Sequence, residues 1–278
     1  MSTLATAQQR RILPGFGLSL GVTITYLCLI VLIPLSALII RSFGEGFADW
    51  WGTVTSPRAL ATFRLTFGVS FAAAVVDVIF GTITAWVLVR YRFPGRRIVD
   101  ALIDLPFALP TAVAGITLSA IYAGNGWVGQ FLEPHGINIA YTRWGVFIAL
   151  IFVGLPFIVR TVQPVLQDLD KEFEEAAASL GATRWQTIRR VMLPTLLPAV
   201  LTGFTLAFAR AVGEYGSVIF IAGNFPFVSE ITPVLIVIKL EEYDYVGAAG
   251  IGTGMLLVSL LVLLVLNGLQ RWAKAGHR

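Results

Sequence analysis

Apolar residues fill six long stretches of this chain, and polar residues gather between them. The stretches cover residues 17–40, 65–89, 98–122, 144–166, 196–215 and 246–269. Each holds the roughly 20 residues that a helix needs to cross the hydrocarbon layer of a membrane. None shows the alternation of apolar and polar positions that is typical of a membrane strand. The pattern therefore predicts an all-α polytopic membrane protein with six transmembrane helices, forming a single transmembrane domain over residues 1–278.

Composition agrees with a membrane location, because only 13% of the residues are charged and 56% are hydrophobic, with a mean hydropathy of +0.81. A soluble domain carries about 25% charged residues. The first apolar stretch is longer than a signal-peptide core and has no small-residue cleavage site before Arg41, so an uncleaved span is expected. The single cysteine, Cys28, allows no disulfide within the chain.

The distribution of lysine and arginine predicts the orientation, because cytoplasmic loops retain positive charge. With six spans and the N-terminus inside, most of the 20 basic residues lie on the cytoplasmic side. The outer side keeps six of them: Arg41, Arg58, Arg64, Arg143, Arg210 and Lys239. Both termini are therefore expected in the cytoplasm. The net charge of +4 is explained by this topology, which argues against a nucleic-acid site.

Three connecting segments are long enough to carry function. Residues 41–64 lie outside, and the adjacent Trp50 and Trp51 are expected to anchor this segment at the headgroup level. Residues 123–143 form an outer loop with His135, and one isolated loop histidine argues against a metal or catalytic site. Residues 168–194 form the long inner loop.

The inner loop begins with a predicted acidic helix. Asp168 or Asp170 can cap its first turn, where Glu174 and Glu175 are favoured by the helix dipole. Gly181 follows the last apolar position, as expected of a helix C-terminal stop.

A second inner helix is predicted after the glycine. Thr183 and Gln186 have the spacing of a capping box, and the helix is expected to stop before Pro194. The inner loop is therefore predicted to be a rigid helical elbow rather than a tether.

One face of the first elbow helix is apolar. Phe173, Ala176, Ala177 and Leu180 share it at i, i+3, i+4 and i+7 spacing. Small alanines allow the surface of another protein to approach closely. The same face could instead pack beneath the chain's own helices, and the sequence favours neither alternative.

The elbow resembles the EAA loop of the binding-protein-dependent ABC-importer permeases. Their pattern E-A-A-x3-G-x9-I-x-L-P is matched from Glu175 to Pro194, with Val191 for isoleucine as the only departure. The resemblance implies the MetI-like importer-permease fold, in which this loop forms cytoplasmic coupling helices that insert into a cleft of the ATPase. The coupling residues that it implies are Glu174, Glu175, Ala176, Ala177, Gly181, Leu193 and Pro194.

Three other segments are similar to the sulfate and thiosulfate permeases within that family. They are residues 105–115 (LPFALPTAVAG), 208–217 (FARAVGEYGS) and 236–245 (IVIKLEEYDY). Molybdate permeases share the Arg-Ala-x-Gly-Glu core but usually diverge after it. The resemblance implies import of sulfate, with thiosulfate as a further substrate and another oxyanion such as molybdate as the alternative.

The expected partners follow from what this chain lacks. It contains no G-x4-G-K-[ST] phosphate loop, so ATP hydrolysis is expected in a separate subunit, and no cofactor is expected here. One elbow per chain implies a second permease, homologous or identical, and two ATPase subunits. The resemblance adds a sulfate-binding protein on the outer side, in a bacterial inner membrane or a plastid membrane.

Candidate residues for the anion path cluster after the fifth stretch. An anion crossing the membrane needs hydrogen-bond donors or water along its path. The Arg210 side chain is expected to pair with Glu214 at i+4, or with the partner permease, rather than with the anion. Thr232 and Pro233 resemble a helix start whose N–H groups could face an anion. The path candidates are Arg210, Gly213, Glu214, Gly216, Ser217 and Asn224.

Two acidic residues inside the apolar stretches need partners. For Asp77 an interhelical hydrogen bond is favoured over a proton relay, and Asp104 is expected to face water or the basic turn at Arg96 and Arg97.

Two other classes of protein fit the sequence less well than an importer permease. A secondary anion transporter would need no elbow. An enzyme would need convergent catalytic groups, whereas His135 and His277 fall on opposite sides of the membrane.

Overall fold

The computed structural model describes residues 15–275, and these residues contain helices and no strand. Five of the helices are long and apolar enough to cross a membrane. In chain order the helices are α1 (Phe16–Ser42), α2 (Phe47–Val54), α3 (Pro57–Arg90), α4 (Arg96–Ile103), α5 (Leu105–Ala108), α6 (Thr111–Tyr122), α7 (Gly129–Leu132), α8 (Arg143–Asp168), α9 (Lys171–Ser179), α10 (Arg184–Val212), α11 (Val218–Ile221), α12 (Thr232–Glu241) and α13 (Tyr245–Ala275). The five long helices are α1, α3, α8, α10 and α13.

The third predicted span, residues 98–122, is not one helix. It consists of α4, α5 and α6, and the chain is extended at Leu109, with φ −82° and ψ 136°. Pro110 causes this break, because a proline has no N–H to donate and keeps the preceding residue out of the helical region. Five of the six predicted spans are therefore single long helices, and three shorter helices occupy the third.

The second inner helix does not stop before Pro194, as the sequence predicted. It continues as α10 to Val212, through a wide turn over Ile188–Met192 in which the Leu193 N–H donates to the Ile188 carbonyl. A proline inside an α-helix clashes with the carbonyl four residues earlier, and widened turns relieve such conflicts. The second helix of the elbow and the fifth span are consequently one helix.

The core lies where α3, α8 and α10 cross. Ile158 of α8 is fully buried at this crossing. Gly81 of α3 and Gly203 of α10 both lie so close to Ile158 that a Cβ on either would press on it. Side chains on α1, by contrast, are largely exposed, as suits a helix that faces lipid. Close helix approach through glycines is typical of membrane bundles, in which van der Waals contact drives association.

Residues 41–64, on the outer side, are largely helical and do not form a loop with two tryptophan anchors. Trp50 of α2 is buried and its indole N–H donates to the Gly250 carbonyl at 3.3 Å, whereas Trp51 is exposed. Gly250 faces Trp50, and Gly254 faces Val54. The prediction that both tryptophans anchor the headgroup level is therefore wrong for Trp50, because Gly250 in α13 leaves room for it.

Asp77 lies at the centre of the core without the predicted interhelical hydrogen bond. The residue is 1% exposed, and neither carboxylate oxygen has a hydrogen-bond partner among the described residues. The carboxylate lies against Gly154 of α8, near Ala207 of α10, and neither neighbour has a polar side chain. An unpaired polar group in such a place destabilises the fold.

The contact between Asp77 and Gly154 makes a testable prediction. In the native chain Gly154→Ala should destabilise the protein by about 1–3 kcal/mol, because the added methyl group meets the Asp77 carboxylate. In an Asp77→Ala background the same substitution should have little effect. Thermal unfolding in detergent measures both losses. Gly68→Ala on α3, where a Cβ has open space, is the control and should be neutral or stabilising. Equal losses in the two backgrounds would contradict the contact.

Candidate functional site

The C-terminus of α9 is shaped by Gly181. Its φ is +80°, a left-handed conformation that glycine adopts without strain. The Gly181 N–H donates to the Ala178 carbonyl at 2.9 Å, and the Ala182 N–H donates to the Ala177 carbonyl at 3.0 Å. These two bonds make a Schellman motif. The predicted helix stop at Gly181 is therefore confirmed.

The second elbow helix begins with the predicted capping box. The Thr183 N–H donates to Gln186 Oε1 at 2.8 Å, and the Gln186 N–H donates to Thr183 Oγ1 at 3.3 Å. The start of α9 differs from the prediction, because Asp168 ends α8 and the side chain of Asp170, although at the N-cap position, accepts no helix N–H. The turn between the two elbow helices is thus fixed on both sides by local hydrogen bonds.

The apolar face of the elbow is exposed. Phe173 is 56% exposed and Leu180 89% exposed, and Trp185 at the start of α10 is 68% exposed. The alternative in which this face packs beneath the chain's own helices is thereby excluded. The helical spacing that identified Phe173 and Leu180 could not indicate Trp185, because Trp185 lies beyond the turn, at the start of α10.

The two acidic residues of the elbow differ in their surroundings. Glu174 forms an ion pair with Arg90 at 2.8 Å, and the Arg90 guanidinium also donates to the Leu169 carbonyl at 3.1 Å. Glu175 is exposed, and its carboxylate has no partner among the described residues. Both line a cavity of about 630 Å³ between the elbow and the inner end of α3. Glu174 is therefore held by the chain itself, and Glu175 is free for a partner.

The remaining coupling candidates fall on two elements. Ala176 is exposed and Ala177 is half-buried, both on α9. Leu193 and Pro194 lie beyond the elbow, where α10 enters its apolar part. Pro194 follows the wide turn directly, and the Thr195 hydroxyl donates to the Val191 carbonyl at 2.8 Å across it. Pro194 thus shapes the helix, whereas the Leu193 side chain is 48% exposed.

Three of the path candidates form one hydrogen-bonded cluster. Arg210 pairs with Glu214 at 2.6 Å, which confirms the predicted pair. Glu214 is buried, and its Oε1 accepts the N–H of Ser217 at 2.8 Å and its hydroxyl at 2.9 Å. The Ser217 donors are consequently used within the chain.

The other three path candidates lie apart from one another. Gly213 is exposed at the end of α10. Gly216 packs so closely on Thr111 of α6 that a Cβ would clash with the threonine side chain. Asn224 donates from Nδ2 to the Ile219 carbonyl at 2.8 Å, and its Oδ1 is buried without a partner among the described residues. Of the three, only Gly213 presents its backbone to open space.

The start of α12 does not face an anion path, contrary to the prediction. Thr232 is fully buried, and its N–H donates to Thr66 Oγ1 of α3 at 2.8 Å. Next to it, the buried Glu230 receives two bonds from Arg58, from Nε at 2.9 Å and from Nη2 at 2.6 Å. The Thr232 N–H, which was predicted to be available to an anion, is therefore used in the contact with α3.

Asp104 pairs with Arg160 and not with the basic turn at residues 96–97, and its side chain is still 47% exposed, as the predicted contact with water requires. The Arg160 guanidinium contacts Asp104 and Asp100, each at 2.7 Å, and donates to Gln163. From the sequence, Arg160 is only one of the basic residues on the cytoplasmic side. The i, i+4 spacing of the two aspartates was the signal that could have indicated a shared basic partner on another helix.

The segment 236–245 forms the end of α12 and the turn into α13. Lys239 Nζ contacts Asp244 at 3.1 Å and Glu242 at 3.2 Å. The hydrogen bond to Asp244 raises the pKa of Lys239. The Gly247 N–H, and then Lys239, lower the pKa of Asp244. This turn is therefore held by charge pairing within the chain.

The chemistry of the elbow is that of a binding surface. It combines large apolar side chains, small alanines and one free carboxylate on a rigid frame. Among residues 15–275, no group of three or more histidine, cysteine or acidic side chains is arranged to hold a metal ion.

Solved structures with a similar fold are transport proteins. A bacterial ABC transporter involved in the import of the acidic polysaccharide alginate matches with a TM-score of 0.77 at 18% identity, over 92% of this chain and 94% of that chain. The MetNI methionine ABC transporter, in inward-facing conformations, matches with a TM-score of 0.51 at 21% identity, over 80% and 98%. These likenesses show the fold, and the predicted importer-permease fold is thereby confirmed.

Sequence comparison identifies the family. The family model described as "Binding-protein-dependent transport system inner membrane component" matches residues 77–276. A protein of Synechocystis sp. is 54% identical over 91% of this chain and 88% of its own length. A protein of Salmonella typhimurium is 48% identical over 99% of both chains. Both carry the name "Sulfate transport system permease protein CysT". This multi-pass membrane chain therefore belongs to the family of inner membrane components of binding-protein-dependent transport systems.

Proposed function

We propose that this protein is the permease subunit of an ATP-driven sulfate importer, in which it forms half of the translocation path. The observation that carries the coupling to an ATPase is the exposed apolar face of the elbow. The choice of sulfate is supported by the names of relatives that are 48–54% identical over most of the chain. Thiosulfate is a further substrate of the same class.

Binding of a partner over the elbow surface is favourable, because it removes exposed apolar side chains from water. Burying a large apolar side chain contributes about 1.5–3 kcal/mol, and Phe173, Leu180 and Trp185 are all more than half exposed. Such a patch at a helix turn is typical of a protein interface. Ala176 allows close approach, and Glu175 offers a carboxylate that no described residue uses. The partner that fits is a cytoplasmic ATPase with a cleft for the elbow.

The rest of the assembly follows from the single elbow. Two ATPase subunits need two elbows, so this chain pairs with a second permease, homologous or identical. In a related fold, an alginate transporter has been solved in complex with a periplasmic protein that carries the substrate. We infer an outer sulfate-binding protein for this chain, in a bacterial inner membrane with both chain termini in the cytoplasm. The terminal residues Arg10, Arg11 and Arg278 lie outside the described residues.

We place the anion path beside the cluster of Arg210, Glu214 and Ser217. A buried carboxylate next to the path of a dianion would repel it, and the Arg210 guanidinium neutralises that charge. The arginine side chain is about one-third exposed, so its field also reaches the open space near Gly213. The path thereby offers weak attraction without tight binding, as conduction requires.

The function is tested by reconstituting the protein with its candidate ATPase, second permease and receptor in vesicles. Uptake of radiolabelled sulfate should require ATP and the loaded receptor, and an equal concentration of molybdate should not compete. Sulfate flux driven by an ion gradient without ATP would instead identify a secondary transporter. Competition by molybdate would instead indicate that the substrate is another oxyanion.

Docking through the elbow is tested by Leu180→Glu and Glu175→Arg. Each should lower copurification with the ATPase at least tenfold. Leu180→Glu places a charge in the apolar contact, and Glu175→Arg reverses the sign of the charge at the free carboxylate. Membrane insertion should not change, since both side chains are exposed in the isolated chain. Trp127→Glu is the matched control, because Trp127 is 83% exposed in the outer loop. Unchanged copurification of both elbow variants would refute docking at this surface.

The path proposal predicts a charge effect at Arg210. Arg210→Gln should lower sulfate uptake at least fivefold, because Glu214 is then left unneutralised. The double variant Arg210→Gln/Glu214→Gln carries no net charge at the cluster and should recover most of the uptake. Uptake is measured per inserted protein, so that a loss of folding is counted separately. A double variant as slow as the single one would show that the pair does not act through charge.

A further inference from the structure

Arg90, the last residue of α3, binds the start of α9. Its Nη2 donates to the Leu169 carbonyl at 3.1 Å and contacts Glu174 at 2.8 Å. The guanidinium carbon lies 6.0 Å from the centre of the Trp86 ring, and the side chain is largely buried. Leu169 precedes α9 and Glu174 lies in its first turns, so one side chain binds both the joint and the helix beyond it.

The cavity between α3 and the elbow gives this contact its importance. The cavity is lined by Trp86 and Tyr91 on one side and by Glu175, Ala178 and Ala182 on the other. These parts of the elbow are therefore separated from α3 by open space. Arg90 bridges the gap at its edge, and force on α9 reaches α3 through this bridge.

A second arginine holds the opposite end of α3. Arg58, in the first turn, makes two hydrogen bonds to the buried Glu230. Thr66, two turns further on, accepts the Thr232 N–H at 2.8 Å. Glu230 and Thr232 flank the junction between α12 and residues 213–231, which we call the outer segment. The outer segment also contains Glu214 and Ser217, whose partner Arg210 is proposed to lie beside the anion path.

Between the two arginines α3 is stiff. Its 34 residues span about 51 Å at 1.5 Å per residue, well beyond the roughly 30 Å of the hydrocarbon layer. Its only proline, Pro57, occupies the first position, where no hydrogen bond is lost. The neighbouring α8 contains Pro156 and Pro164 in its interior, and prolines are the usual sites of kinks. Of the helices crossing at the core, α3 is the one best suited to carry a displacement from end to end.

We propose that α3 is the rod that transmits movement between the elbow and the outer segment, with Arg90 and Arg58 as the positioning residues at its ends. This rests on the proposed function, because it names the route by which ATPase closure reaches the anion path. The rod also works in reverse, since coupling between two sites is reciprocal. Binding of the receptor at the outer end is thereby signalled to the ATPase.

The test uses the reconstituted complex with Arg90→Gln and Arg58→Gln. The measured quantity is the ratio of receptor-stimulated to basal ATP hydrolysis in complexes that have assembled. Both variants should lower this ratio at least fivefold, although Arg58 lies about 48 Å along the helix from Arg90. Arg58→Lys and Arg90→Lys keep the charge but lose part of the hydrogen bonding, and should recover the ratio in part.

Matched controls exist at each end of α3. Arg92 and Arg64 are exposed and have no ion pair among the described residues. Arg92→Gln and Arg64→Gln remove the same charge at the same level of the protein, and should leave the ratio within twofold of the native value.

The outcomes separate this inference from the proposed function. Absence of receptor- and ATP-dependent uptake with the native chain would overturn the function itself. With native uptake intact, an unchanged ratio in either glutamine variant would overturn the rod. A variant that lowers the thermal midpoint or the yield of assembled complex, while the ratio in the assembled fraction is unchanged, would also overturn it, because the arginine would then be only structural.

Discussion

The close crossing of α3, α8 and α10 around Ile158 is the constraint on which the rest of the structure depends. Two glycines from different helices meet one isoleucine there, so the three backbones approach within a distance that no larger residue would allow. In lipid such contacts replace the hydrophobic effect as the source of helix association. The crossing fixes the direction of all three helices. It therefore fixes which side chains meet at the inner and outer ends of the bundle, tens of ångströms away.

The apolar stretches could be located from sequence because hydropathy depends only on composition within a window. Whether a stretch forms one helix depends on single residues and their backbone hydrogen bonds. Pro110 breaks the third stretch into separate helices, whereas Pro194 leaves α10 continuous, since a wide turn accommodates it. The sequence contains a proline in both places. Which outcome follows is decided by packing around each proline, and hydropathy does not report packing.

At the elbow the same distinction separates what could be predicted. The stop at Gly181 and the capping box at Thr183 depend on bonds between residues a few positions apart, so spacing alone was sufficient. The pairs of Arg90 with Glu174 and of Arg58 with Glu230 join residues 84 and 172 positions apart. Their charges were visible in the sequence, but the helix crossings that bring them together were not. The role of the elbow followed only from the resemblance to a permease family, because helical periodicity does not indicate a function.

The continuity of α10 determines where the inner arm of the protein can bend. Because the helix begins at the Thr183 cap and runs unbroken to Val212, its cytoplasmic turns act as a lever fixed to the membrane-embedded part. A displacement of those turns reaches Arg210 along one helix, and the wide turn and Pro198 are the places where that helix can bend. The joints on either side of α9, at Leu169–Asp170 and at Gly181–Ala182, are themselves held, the first by the hydrogen bond from Arg90 and the second by the Schellman bonds and the capping box. A change in the direction of α9 relative to the bundle therefore requires these few local hydrogen bonds to break.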